Sequence, residues 1–200
     1  MRQRSSTAPG TPLAAVGAGL ALASAAVLIV LLAAAVIIIR PAVSGTPAQT
    51  AATVGDLHYA VNNAWVLDPG RPLDAAVARG LPPADRAPGT DELLLAVFVG
   101  VTNETDRRVP MATRLELHTS TNHVYAPVPL GPANRYAYRA GSIAPKSRQP
   151  APSTPAGSDQ SAEGLLLVFR IPRRAYDDGG LALFVRDPAD PARTGSLQVL

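Results

Sequence analysis

The chain of 200 residues contains no cysteine. That excludes disulfides, thiolate metal sites, cysteine nucleophiles and attachment to lipid through an N-terminal lipoprotein cysteine. Lysine is nearly missing as well: Lys146 stands against 17 arginines. This bias, with 20 prolines and many alanines, reads as the codon usage of a GC-rich genome. No long run of one charge occurs. Arg107-Arg108 and Arg173-Arg174 are only pairs, read as solvated charge at turns or strand ends, the other reading being contact with anionic head groups or cell-wall polymers. The net charge of +3 includes Arg2 and Arg4, which precede the long apolar segment, so the rest of the chain is close to neutral. A nucleic-acid binder carries a one-sided basic field, and this chain has none.

Catalytic signatures are absent too. No Gly-x-Ser-x-Gly places a nucleophile on a strained turn, and no His-Glu-x-x-His offers paired zinc ligands. Gly17-Ala18-Gly19 lacks the third glycine of a phosphate loop. The three histidines are His58, His118 and His123. His118 and His123 flank an expected turn, with Glu116 nearby, which outlines at most a weak surface metal site; polar-face strand residues are the preferred reading. Asp91-Glu92, Asp177-Asp178, Asp187 and Asp190 read as turn formers, because adjacent acids on a strand point to opposite faces while a glycosidase needs two carboxylates across one cleft. The Asp177–Gly180 turn lacks the ligand count of a calcium loop. Asn103-Glu104-Thr105 fits a glycosylation sequon. No catalytic residue, cofactor or metal site is assigned on these grounds.

What is present begins with one segment. The 27 residues Leu13–Ile39 carry no charge, no proline and only Ser24 as a polar side chain. As a helix they reach about 40 Å, against a hydrocarbon core of about 30 Å. A transmembrane helix is expected over 13–39, behind a cytoplasmic tail at 1–12. Arg2 and Arg4 before it, against Arg40 alone after it, place the remainder outside the cytoplasm. A cleaved signal peptide is the rival reading, with Ala21-Leu22-Ala23 or Ala23-Ser24-Ala25 as the site. The unbroken apolar stretch Ala26–Ile39 favours an anchor. Gly17, Ala21 and Ala25 share one helix face and suit close helix approach.

Residues 40–53 are small, polar and proline-containing, the composition of a flexible tether. From Val54 to Leu200 the texture is short apolar runs between turn residues. Leu57, Tyr59 and Val61 alternate with polar or small residues, as in a half-buried strand, and Asn62-Asn63 is expected to bend or bulge it before Ala64-Trp65-Val66. Leu93–Thr102 is long, β-branched and apolar, suited to a central strand. Further strands are expected at Arg114–Thr119, His123–Pro127, Gly164–Ile171, Leu181–Arg186 and Leu197–Leu200. Asp177-Asp178-Gly179-Gly180, Asn103–Asp106 and Asn122 supply turns. Two stretches, Asp68–Thr90 and Ala144–Ala162, read as loose loops, with two helical turns at most over Leu73–Arg79. The expected fold is all-β: an antiparallel β-sandwich with Trp65 pinned between its sheets.

The order GDLHYAVNNAW, LLLAVFVGVTNETDRRVP, LELHTSTNHVYAP and LLLVFRIPRRAYDDGGLALFVRDP resembles the immunoglobulin-like (telokin-like) domains of unknown function in exported and membrane-anchored bacterial proteins, common in actinobacteria. The resemblance rests on the Val-Thr-Asn-x-Thr-Asp turn at Val101–Asp106, Tyr-x-Pro at Tyr125–Pro127 and the Val-Phe-x-Ile-Pro strand end at Val168–Pro172. It implies an immunoglobulin-like antiparallel β-sandwich over 54–200 and an exported location, with no catalytic set to carry over. The expectation is a single-pass cell-membrane protein whose outer domain binds a protein partner in the envelope. An envelope enzyme with an unrecognised site, and a ligand or metal sensor, are the alternatives.

Overall fold

The computed structural model describes residues 50–200, except 69, 79 and 159–162 and the side chains of 73 and 76. The expected tail at 1–12, the transmembrane helix at 13–39 and the tether over 40–49 lie outside the described residues. Among the described residues no helix is long and apolar enough to cross a membrane. The end of the expected tether is not a tether. Ala51–Val54 form β1, paired antiparallel with β2 (Leu57–Val66) across a tight turn at Gly55-Asp56. Its small side chains concealed it, yet Val54 is buried and Ala52 packs on the core.

Two antiparallel sheets face one another. The first runs β1, β2, β3 (Glu92–Asn103), and both β9 (Leu165–Pro172) and the short β8 (Ser147–Gln149) pair with the far side of β3. The second runs β11 (Thr194–Gln198), β10 (Ala182–Arg186), β5 (Leu115–His118) and β6 (Val124–Tyr125). A small ribbon pairs β4 (Val109–Pro110) with β7 (Ser142–Ile143). Between the sheets, Leu57, Tyr59, Leu95, Val97, Phe169 and Ile171 meet Leu115, Leu117, Leu183, Val185 and Leu197 in one cluster. These are the alternating positions of each strand, as a half-buried strand requires. The last strand starts three residues earlier than expected, because Gly195 carries no side chain to betray the period.

The first sheet is buried on both faces. On its outer face Leu94, Ala96, Phe98, Leu166 and Val168 form a second cluster with Leu67, Val77, Leu81, Tyr136 and Ala156. That explains why β3 reads as a continuous apolar run rather than an alternation. It also corrects the reading of the two loose stretches. Asp68–Thr90 holds helix α1 (Pro72–Val77) and a 3₁₀ turn at Pro83–Asp85, and it covers this face. Ala144–Ala162 contributes β8 and the single turn α2 (Pro155–Ser158), whose Ala156 is buried in the same cluster. Arg170 on β9 ties the cover down: its guanidinium donates to the Ala84 carbonyl at 2.7 Å and pairs with Asp85 at 3.1 Å.

Trp65 is not between the sheets. The bulge in β2 falls at Asn62, between the pairs Val61–Val99 and Asn63–Phe98. One extra residue reverses the faces of everything after it. Ala64 and Val66 therefore join the inner core, while Trp65 stacks on Phe98 on the outer face, ring centroids 4.6 Å apart. Its indole N–H donates to the buried Asp74 carboxylate of α1 at 3.1 Å, and the same carboxylate accepts the Asp68 N–H.

The turn after β3 is a second fixed point. Asn103 is fully buried; its amide nitrogen donates to the carbonyls of Arg107, Ile143 and Ala144, and its oxygen accepts from the Thr105 N–H and hydroxyl. One side chain thus joins the turn to β7. The sequon at Asn103–Thr105 is consumed in this network, with the amide nitrogen inside the protein.

Candidate functional site

Two connections come together at one place on the sandwich. The first is the β5–β6 turn. Asn122 adopts φ 62°, a left-handed conformation that asparagine tolerates, and its N–H closes on the Thr119 carbonyl at 3.0 Å. Thr119 is buried, and its hydroxyl accepts the His123 N–H at 3.0 Å and bonds the Thr121 hydroxyl at 2.9 Å. The turn is therefore internally fixed and carries Ser120, His123 and Tyr125.

The second connection follows β9. Pro172 ends that strand, and α3 (Arg173–Asp177) begins at once, seated by the buried Ala175. The expected turn at Asp177–Gly180 is present, displaced onto the end of this helix: Gly179 and Gly180 take φ 68° and 66°, which return the chain to β10. Gly180 lies against the first turn, since a Cβ there would stand 3.2 Å from Ser120 Cβ.

Between them is a cleft of about 340 Å³ lined by Thr119, Ser120, Thr121, His123, Tyr125, Arg174, Ala175, Asp178 and Gly179. Among the described residues, the side chains of Ser120, His123, Tyr125, Arg174 and Asp178 have no hydrogen bond or ion pair with protein. Arg174 is shared with a second hollow on the other side of α3, about 550 Å³ and lined also by Asp91, Glu92, Pro172, Arg173 and Asp177.

Several polar groups away from the cleft are committed to one another. On the outer face of the second sheet, Glu116 is held by Arg114 at 2.7 Å and by Arg186 at 3.3 Å. Burial pushes its carboxyl up, but the hydrogen bonds from the two arginines outweigh this and hold it below the ordinary carboxylate value. His118 stacks on Phe184 at 4.0 Å, with Nε2 3.7 Å from Glu116. His58 bonds the Thr53 hydroxyl at 2.9 Å and faces Glu104 at 3.5 Å. A hollow of about 250 Å³ over Gly100 is edged by Asn62, which donates to the Glu163 carbonyl, and Arg148, which pairs with Glu163 at 3.6 Å.

The histidines weighed as a weak metal site thus separate by role. His118 belongs to the sheet face with Glu116, whereas His123 lines the cleft. Among the described residues no three His, Asp or Glu side chains come together to hold a metal ion. Asp187 and Asp190 are turn formers: each accepts the N–H two residues on, from Ala189 and Ala192. Arg107 pairs with Asp56 and Asp91 accepts the Arg173 N–H through its carbonyl. The cleft itself was not visible as a site. Thr119–Tyr125 and Arg173–Gly179 lie some fifty residues apart, and only the sheet pairing brings them together.

No family model matches the chain, and no curated protein matches it. Two solved structures from Bacillus subtilis align with it. The candidate lipoprotein ycdA is 13% identical with a TM-score of 0.46, over 76% of this chain and 38% of its own. The chain therefore spans well under half the length of that neighbour. The yjhA protein is 10% identical with a TM-score of 0.43, over 75% of this chain and 96% of its own.

Proposed function

We propose that the chain is a single-pass membrane protein presenting an immunoglobulin-like module outside the cytoplasm, and that this module binds a partner in the envelope rather than catalysing a reaction. The apolar segment Leu13–Ile39 and the arginines before it support the placement. The two facing antiparallel sheets support the module, although fold alone does not assign function. The observation that carries the binding reading is the cleft between the β5–β6 turn and α3. Its rim holds polar side chains from two connections without protein partners among the described residues. Loops held at one place by a rigid sandwich are where binding groups are usually carried.

The test is crosslinking in intact cells, followed by purification of the tagged full-length protein and mass spectrometry. One dominant envelope partner is expected, lost when residues 54–200 are deleted and weakened by the pair Ser120→Ala and Arg174→Ala. Recovery of no enriched partner would sink the reading.

A further inference from the structure

From the chemistry of the cleft rim, we infer that the hollow between the β5–β6 turn and α3 is a subsite for an acidic saccharide, a sugar ring bearing a carboxylate. A saccharide presents hydroxyls that both donate and accept, so its site needs both kinds of group close together. Here Asp178 accepts only, Arg174 donates only, and Ser120 and Thr121 carry hydroxyls that do either. Tyr125 adds an aromatic ring, half-buried against the core and so held in place, as a flat apolar surface for the sugar face. The planar fork of Arg174, without a carboxylate partner among the described residues, matches a carboxylate in two-point geometry. The volume of about 340 Å³ lies within the range of small-molecule sites, roughly 300–1,000 Å³.

Three other hollows among the described residues do not offer this combination. Over Gly100 the polar groups are engaged, Asn62 with the Glu163 carbonyl and Arg148 with the Glu163 carboxylate. The hollow beyond α3 has charge of both signs from Asp91, Asp177 and Arg173 but no aromatic ring. The hollow at Pro127–Leu130 is walled largely by apolar side chains, and its Arg139 donates to the Gly131 carbonyl. Of these four hollows among the described residues, the first joins an aromatic face, hydroxyls, a free acceptor and a free guanidinium.

The inference rests on reading the chain as an extracytoplasmic binding module, and the two fail separately: saccharide binding is measured on the purified protein, whereas a protein partner is sought in cells. The full chain, residues 1–200, is purified in a polyoxyethylene detergent that carries no sugar. Saturation-transfer difference NMR is then recorded with D-glucuronate, with D-glucose, which has the same ring without the carboxylate, and with acetate, which has the carboxylate without the ring. Glucuronate is expected to bind about tenfold more tightly than glucose, the size of effect of one charge-assisted hydrogen-bonded pair, and not to be displaced by equimolar acetate. Arg174→Ala should remove that preference. Tyr125→Leu, which keeps apolar bulk, should weaken both sugars. Arg148→Ala, at the other hollow, should change neither. Equal binding of glucose and glucuronate would overturn the inference. So would displacement by acetate, binding of no sugar at all, or equal losses in Arg148→Ala and Arg174→Ala.

Discussion

Both backbone polar groups of Ala112 are held by tyrosine hydroxyls. Its N–H donates to Tyr59 Oη at 2.8 Å, and its carbonyl accepts from Tyr138 Oη at 2.8 Å. Burial raises the Tyr59 hydroxyl above its ordinary value of 10.0, and burial together with Tyr59 raises that of Tyr138 much further, so both stay protonated at neutral pH. Tyr59→Phe leaves a buried N–H without its partner, and the expected cost is about 1–3 kcal/mol, read as a Tm lower by several degrees. Tyr138→Phe strands only a carbonyl and should cost less; a Tyr59→Phe protein melting like the parent would show that the clamp contributes nothing. Glu116 gives a pH-dependent counterpart. Its folded-state value lies below the unfolded one, so its contribution to stability is present above its ordinary value of 4.5 and is lost as pH falls through the lower folded value. Glu116→Gln should therefore be less stable than the parent at neutral pH and converge with it in acid. A constant difference between the two melting curves from pH 7 to pH 3 would contradict the assignment.

At the scale of elements, the bulge at Asn62 decides more than any strand boundary. Before it, Leu57, Tyr59 and Val61 face the second sheet; after it, Ala64 and Val66 do, and Trp65 turns outward onto Phe98. The alternation of Leu57–Val61 and the presence of a bend at Asn62-Asn63 are legible in the sequence. The consequence for Trp65 is not, because it depends on whether one residue or two leave the ladder. In the same way the length and composition of Leu93–Thr102 identify a central strand. Its double burial requires a cover, yet nothing local marks Asp68–Thr90 as that cover, since Val77, Ala78 and Leu81 are ordinary apolar residues of a proline-rich stretch. The cleft was least legible of all, being made of turn residues that acquire a common role only through the pairing of β5 with β10 and β6. Deleting Asn62 tests the bulge directly. With Asn62 removed, Val61 opposite Val99 is followed at once by Asn63 opposite Phe98, so regular alternation keeps Ala64 and Val66 on the inner face and Trp65 on the outer one, and both clusters survive. The expected result is a cooperative thermal transition with the near-ultraviolet dichroism of Trp65 retained. A deletion variant that loses the transition or the Trp65 signal would show that the faces after the bulge are not set by one extra residue at Asn62.

On the scale of the whole molecule, the sandwich is closed along both sides without disulfides. On one side β1 lies against β11 so closely that a Cβ at Gly195 would stand 2.4 Å from Val54 Cγ2 and 3.2 Å from Ala52 Cβ. On the other, the irregular segment after β6 runs along the edge of β9. Val128 N–H donates to the Val168 carbonyl at 2.7 Å, Tyr138 N–H to Leu166 at 2.9 Å, and Leu166 N–H to Tyr136 at 2.6 Å. Covered edges protect a sheet from pairing with other chains. The two closures rest on different physics, one on the absence of a side chain and the other on backbone hydrogen bonds. They should therefore open independently. Gly195→Val separates them, because the added branches displace β1 while leaving β3, β9 and the outer cluster untouched. Native-state hydrogen exchange in the parent should show the slowest amides in β3, which is paired on both sides and buried on both faces. In Gly195→Val the amides of Ala51–Val54 and their partners in Leu57–Ala60 should exchange much faster, with protection in Leu94–Val99 falling only as far as global stability falls. If protection drops by the same factor throughout, the sandwich is a single cooperative unit and β1 cannot leave it alone. If β1 stays protected, the contact at Gly195 is not what holds that side closed.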